Sequence, residues 1–307
     1  MEENNMVEHA KGYTNGAEFR HANQYEETQR LHKSSASVDE IDKGGHTPTV
    51  GINLEFIMRM NSIKWLSEEV RNRDLSVAIL GISTVEGPAD FQTLLKSLGA
   101  NRISTTAVDI SDGIFTKIEQ LELDEIVCLQ RDARDTGLPG ASQDLNLRDH
   151  LGNCCPPAID RGINKEAARI LKPGGIAVVN ITTSDLLARS QGRTIINFDQ
   201  AVNLFGEEIT RAFQTEIYDL IDLKRKFPML NTELLRGKII EIESNESFVV
   251  FGEDEQGHGE WFRRLDDHIS TWEQDGFEIV EIQTRQGTDG HKPPLECLRH
   301  NVILRKL

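Results

Sequence analysis

The chain has 307 residues, of which 38% are hydrophobic and 27% charged, the proportions of a globular protein with room for one large domain or two small ones. Its 34 Lys and Arg stand against 50 Asp and Glu, a formal charge of −16, and such a surface repels polyphosphate. No basic cluster with interleaved aromatics offsets it, and the run Leu223–Pro228 (LKRKFP) reads as a solvated helix end. Nucleic acid is therefore not an expected partner; a small-molecule or protein substrate is.

Cys128, Cys154, Cys155 and Cys297 have no zinc-ligand spacing and read as reduced thiols, so no metal site is expected. The acidic start, MEENNMVEHA, lacks the basic and apolar regions of a signal peptide. No stretch approaches the ~20 apolar residues that span a bilayer. A cytoplasmic location without membrane association is the expectation, with a homo-oligomer or protein partner left open.

Residues 1–50 are polar and low in aliphatics and read as an arm, loose or folded over the body. Its His9, His21, His32 and His46 fit no metal-binding helix. From Leu54, apolar residues Phe56, Ile57, Met60, Ile63 and Trp65 recur at nearly helical spacing. A first strand is expected over Ser76–Ser83 (SVAILGIS), a short apolar run of the buried parallel type. A helix follows in PADFQTLLKSLG, with Pro88 suited to the first turn and Gly99 to the stop.

The alternation continues. RISTTAVDIS reads as a strand, DGIFTKIEQLE as a helix, EIVCLQRDAR as a strand and DLNLRDHLGN as a weaker one. AIDRGINKEAARIL reads as a helix stopped by KPGG, and Gly175–Thr182 (GIAVVNIT) as a fifth strand. Repeated strand–helix units of this length imply a parallel sheet covered by helices on both faces. The stretch 186–260 breaks the rhythm. It is expected to hold one long amphipathic helix from Phe198 to about Phe227, then a hairpin of GKIIEIES and SFVVFGED joined near Asn245. It is large enough to cap the sheet. A helix, a turn at Gly276 and a strand are then expected in RLDDHISTWEQDGFEIVEIQTR, and HNVILRKL closes the chain as a strand.

The order of these elements, and two strings in particular, resemble class I S-adenosylmethionine-dependent methyltransferases. EAARILKPGGIAVVNIT (Glu166–Thr182) is similar to the helix, Pro-Gly-Gly turn and fifth strand of that family, and WEQDGFEIVEI to the helix and strand before its final hairpin. The likeness covers about Leu75–Ile181 and Arg264–Leu307. It implies an α/β, Rossmann-like sheet, mostly parallel with a C-terminal antiparallel hairpin. The chain then divides into an N-terminal arm (1–50) and one domain (51–307) carrying the 186–260 cap.

Ligands of such sheets sit at the carboxyl ends of the strands, and the resemblance assigns each loop a role. In the first, GISTVEGP, Gly81 and Gly87 remain of the family's glycine-rich turn, while Ile82, Ser83 and Thr84 depart from it. Ser83, Thr84 and helix-start amides would meet the cofactor's carboxylate and Glu86 its ammonium. In the second loop Asp109, with Ile110 beside it, would take the ribose hydroxyls, while Asp112 caps the next helix. In the third, Asp132 would accept from the adenine amine and Ala133 leave room for the ring. In the fourth, RDHLGNCCPP, Asp149 or His150 would be a general base toward the acceptor and Asn153 would orient it. His258, in the cap, is a surface-loop residue or faces the acceptor.

The implied activity is methyl transfer from S-adenosylmethionine to the oxygen, nitrogen or carbon of a small molecule, releasing S-adenosylhomocysteine, with the cap shaping acceptor choice. Two alternatives follow from the bulky first turn. One is an enzyme of this fold that does not methylate, performing a cofactor-independent displacement or cyclisation. The other is a non-catalytic protein that binds a partner through the cap.

Overall fold

The computed structural model describes residues 63–82, 87–110, 126–149, 151–187, 194–243, 247–252, 257–289 and 295–307, together with Phe115 and Ile118. The N-terminal arm, the turn residues Ser83, Thr84 and Glu86, the second predicted helix apart from Phe115 and Ile118, His150 and the hairpin turn near Asn245 lie outside them.

Seven strands form the main sheet: β1 (Asp74–Leu80), β2 (Arg102–Asp109), β3 (Ile126–Gln130), β4 (Gln143–Asp149), β5 (Leu171–Thr183), β10 (Phe277–Asp289) and β11 (Leu295–Lys306). Their spatial order is β10-β11-β5-β4-β1-β2-β3. β1 to β5 run parallel, whereas β11 is antiparallel to both β5 and β10. This is the mostly parallel, Rossmann-like sheet with a C-terminal antiparallel hairpin that the resemblance implies.

Helices cover both faces because both faces are apolar. Helices α1 (Ile63–Val70) and α2 (Gly87–Ser97) lay Leu66, Val70, Phe91 and Leu95 on Val77, Ile79, Leu145, Leu147, Val178 and Ile303. On the other face, α3 (Pro157–Ile170) brings Ile163 and Ala167 onto Ala78, Leu80 and Val108. Helix α7 (Leu265–Gln274) adds Trp272 against Val179, Val302 and Leu304. Pro157 opens α3, where its missing N–H costs nothing. Gly276, at φ 81°, makes the reversal from α7 into β10.

The chain leaves this sheet after β5 and builds a second body. Short β6 (Ile195–Ile196), β7 (Ile239–Glu243), β8 (Ser247–Phe251) and β9 (Gly259–Phe262) form a four-stranded sheet, of which β7 and β8 are the expected hairpin. The single helix expected over 198–227 is instead three: α4 (Phe198–Phe205), α5 (Glu207–Thr215) and α6 (Leu220–Lys226). Gly206 takes φ 86°, which ends α4, and the Asp219 carboxylate accepts from the Asp222 amide at 2.7 Å, which starts α6 afresh. The amphipathic pattern survives both breaks because the three helices cover one core, around Phe213, Phe251 and Trp261. The Phe213 and Phe251 rings meet edge to face at 5.5 Å. The opposite face of the small sheet packs Ile239, Phe248, Val250 and Phe262 on Leu187 and Leu295.

The two chain crossings are tied together. The Ser184 amide donates to the Arg263 carbonyl at 3.0 Å, and the Arg263 guanidinium pairs with Asp160 of α3. Asp160 also faces Asn164 and His268, and Asn164 accepts from Arg148 of β4. Arg263 is donor-only, so its 2.8 Å contact requires an unprotonated Nδ1 on His268. Burial, with Arg263, His300 and Arg148 nearby, holds His268 well below the ordinary imidazole range, in agreement.

His300 of β11 is a second buried neutral imidazole, held between the hydroxyls of Thr183 (3.0 Å) and Thr284 (2.8 Å). Burial lowers its pKa to about 4, partly opposed by Asp185. The unfolded chain therefore binds the proton first. The stability this group contributes is complete above about pH 6.5 and is lost as pH falls from there toward 4, about 3 kcal/mol in all. Urea denaturation at stepped pH should show that decline, and His300→Gln should make it shallower, leaving the share that buried His268 contributes with the same sign.

Candidate functional site

The loops that sequence reasoning singled out follow β1, β2, β3 and β4, adjoining strands of the main sheet, and all leave from its carboxyl edge. Gly81 follows β1 at φ 73°, and its amide continues the ladder to the Val108 carbonyl at 2.9 Å. A Cβ on Gly81 would lie 2.7 Å from Leu151 Cδ1. Gly81→Ala thus combines a left-handed backbone with a close contact and is expected to cost about 1–2 kcal/mol, read as a lowered thermal midpoint. Gly87 is buried at the start of α2.

Asp109 ends β2 and is buried. Its Oδ2 accepts from the Ile82 amide at 2.8 Å, so the second loop holds the first in shape. Ile110 is half-buried beside it, its carbonyl accepting from Gln130 Nε2 at 3.2 Å. In the third loop Asp132 accepts from the Arg134 amide at 2.8 Å and from that residue's guanidinium at 2.6–3.1 Å. This pair is two-fifths exposed, which leaves it open to exchange with water or a ligand. Ala133 is buried against the α3 core.

After β4 the roles separate. Asp149 is the buried last residue of that strand. Asn153 sits in a short 3-10 turn, Leu151–Asn153, and its amide group is committed to the backbone. Its Nδ2 donates to the carbonyls of Thr182 (2.7 Å) and Trp261 (2.8 Å), and its Oδ1 accepts from the Thr182 amide at 2.8 Å. The side chain replaces the ladder that β4 no longer provides and joins β5 to β9. Both donors are engaged, so this geometry gives Asn153 a holding role between sheet and cap. His258 forms a bridge with Asp219 inside the cap.

Register brings further groups to the same edge. Asp149 pairs with Asn180 of β5, Asn180 with Asn301 of β11, and Asn301 with Gln283 of β10. On the other side, Ile79 pairs with Leu147, which sets Gly81 level with Asp149, and Asp109 pairs with Gln130. A single row therefore crosses the whole sheet at its carboxyl edge. Asn180 and Asn301 were missed in the sequence, where each is one polar residue inside an apolar strand.

Among the described residues no group of three or more His, Cys, Asp or Glu is placed to hold a metal ion, and no helix is long and apolar enough to cross a membrane.

No protein-family model matches the chain, and no curated protein matches it in sequence. Solved structures similar to it include an S-adenosylmethionine-dependent methyltransferase of Methanosarcina mazei, 16% identical, with a TM-score of 0.48 over 79% of this chain and 97% of that one. Another, from Mesorhizobium loti, is 14% identical, with a TM-score of 0.47 over 82% and 100%. A magnesium protoporphyrin IX methyltransferase of Synechocystis, solved with S-adenosylhomocysteine bound, is 10% identical, with a TM-score of 0.42 over 86% and 89%. Each is a likeness of chain path, and function rests on the residues of the site.

Proposed function

We propose that the protein transfers a methyl group from S-adenosylmethionine to a small molecule. The observation that carries this reading is the carboxyl-edge row, in which a buried acid ends β2 next to a glycine turn after β1. The residues fit the cofactor. Asp109 presents a carboxylate held by the Ile82 amide, in the position from which ribose hydroxyls are bound in sheets of this kind. Asp132 and Ala133 flank the next loop, where the adenine would lie, and Ser83, Thr84 and Glu86 would complete the site around the amino-acid portion.

When bound, the cofactor supplies the electrophilic methyl group. The chain's own work is to place an acceptor in line and exclude water. Asp149, level with Gly81 on the neighbouring strand, would accept the proton released by an amine or hydroxyl. The 186–260 cap, joined to the edge through Asn153, would shape the acceptor's space.

One observation favours a second reading. Leu151 packs on Gly81 and Ile82 stands where the turn is usually small, so the edge would serve a displacement or cyclisation that needs no such cofactor. Calorimetric titration with S-adenosylmethionine and S-adenosylhomocysteine separates the two. Micromolar binding of both is expected; a folded protein that binds neither supports the second reading.

A further inference from the structure

One segment of the cap is opposite in charge to the chain that carries it. Residues 220–238 hold five Lys and Arg against two Asp and Glu, a local charge of +3 in a chain of −16. Helix α6 and the 3-10 turn Thr232–Leu234 border a cavity of about 380 Å³, lined by buried Leu220, by Ile221 and Thr232, and by the cations Lys224, Arg225 and Arg236. Lys224 and Arg225 belong to the last turn of α6, where cations answer the carbonyl end of a helix. Arg236 reaches the same cavity from beyond the 3-10 turn, and no helix end accounts for it. Local bonds hold the three in place. Lys224 Nζ donates to the Leu230 carbonyl at 3.0 Å, Arg225 pairs with Asp222 at 3.0 Å and Arg236 with Glu233 at 2.8 Å. The same segment exposes Ile221, Met229 and Leu234, three of the seven large apolar side chains exposed among the described residues. Single apolar residues on a surface are ordinary. Three in one short segment that also walls a cavity mark a binding surface.

We propose that α6 and the 3-10 turn form a docking surface for an acidic, apolar peptide segment of a partner protein. One side chain the size of leucine or phenylalanine enters the cavity beside Leu220 and Ile221, and Asp or Glu on either side of it meet Lys224, Arg225 and Arg236. An apolar anchor in a pocket with charges around it is how short segments are commonly held. Guanidinium groups match carboxylates through two parallel hydrogen bonds. The ion pairs that Arg225 and Arg236 make lie at the surface, where they contribute little and exchange for a partner's carboxylate. Charge complementarity also fixes the place. A chain of −16 repels an acidic segment in general, so the local +3 selects this surface. Nucleic acid and anionic membranes extend beyond so small a patch and meet the acidic remainder. A small free anion fills the cavity but leaves Met229 and Leu234 in water, whereas a peptide covers them. The proposal goes beyond the methyl transfer and needs neither its cofactor nor its acceptor.

The test is selection from a random library of displayed peptides about 12 residues long against the full-length protein, followed by fluorescence polarisation with the enriched peptides. They should carry Asp or Glu around Leu, Ile or Phe and bind with micromolar Kd. Ile221→Ser with Lys224→Glu should weaken them at least tenfold. Both side chains are exposed, so the thermal midpoint should stay within about 2 °C of the parent. A peptide with Lys in place of each Asp and Glu should bind the Lys224→Glu, Arg225→Glu protein more tightly than the parent, a reversal that loss of structure would not give. Enrichment of nothing, of peptides without the acidic pattern, or of peptides indifferent to these substitutions would overturn the proposal. Two other occupants would overturn it as well. A dimer in light scattering that Ile221→Ser with Leu234→Ser returns to monomer would make the surface a contact between copies. Amide exchange in residues 1–50 that is slow in the parent and fast in Ile221→Ser, Lys224→Glu would make the chain's own arm the occupant.

Discussion

Asp160→Ala is expected to destabilise the protein by about 3–5 kcal/mol, because it removes the anion from a buried group of cations. Arg148 and Arg263 are both under 5% exposed, and Asp160 is the partner of Arg263. Arg148 makes one hydrogen bond, to Asn164, while its Nε and Nη2 have no partner among the described residues. Burial pulls its pKa down to about 10, and the charges of Asp160 and Asp275 oppose that fall. Without Asp160 two guanidinium groups face each other across a dry core, and His268, held neutral by its contact with Arg263, cannot compensate. Urea denaturation at pH 7 measures the loss. The sign of the coupling makes the test specific: Asp160→Leu combined with Arg263→Leu should cost less than Asp160→Ala alone, because the paired charge leaves with its partner. Equal or additive costs would show that Asp160 acts through packing alone.

This cluster also explains why the cap stays in place. Arg263 is the first residue after β9 and Asp160 lies in α3, so one ion pair fixes the returning chain to the sheet's helical layer. Asn153 does the same from the carboxyl edge, through Trp261. A shift of the cap would therefore disturb both the β4 loop and the α3 layer, which links the acceptor's enclosure to the groups beneath it.

The main sheet was legible because several of its strands are apolar runs bordered by a turn residue or a helix, while β4 (QDLNLRD) was the weakest of them in sequence. Leu171–Thr183 with its Pro-Gly-Gly turn and Gly276 before β10 are the clearest cases. The cap was less legible. Its three helices share one apolar stripe, so periodicity continues across Gly206 and the 216–219 turn, and only the backbone at Gly206 and the Asp219 cap reveal the breaks. β6 and β9, of two and four residues, carry no pattern of their own and exist because β7 and β8 offer edges to pair with. At the site, the acids Asp109 and Asp149 were readable from their positions at strand ends. The asparagine pair was not, since it exists only in the register that joins β5 to β11. Asn153 was readable as a polar group near the edge, but its partners in β5 and β9 are distant in sequence and only the fold shows that both its donors are taken.

Asp109 is where structure and proposed binding meet, and two substitutions separate them. Asp109→Ala removes the acceptor of the buried Ile82 amide, which should cost about 1–3 kcal/mol of stability. It also removes the expected partner of the ribose hydroxyls, each charge-assisted bond being worth about 1.5–3 kcal/mol, so S-adenosylmethionine affinity should fall about a hundredfold or more. Asp109→Asn keeps a carbonyl oxygen for the Ile82 amide and loses only the charge. Its thermal midpoint should therefore stay near that of the parent while its affinity falls at least tenfold in calorimetry. If both variants bound cofactor as tightly as the parent, Asp109 would be a brace for the first turn and nothing more. If Asp109→Asn lost stability in proportion to Asp109→Ala, charge rather than hydrogen bonding would be what the turn requires.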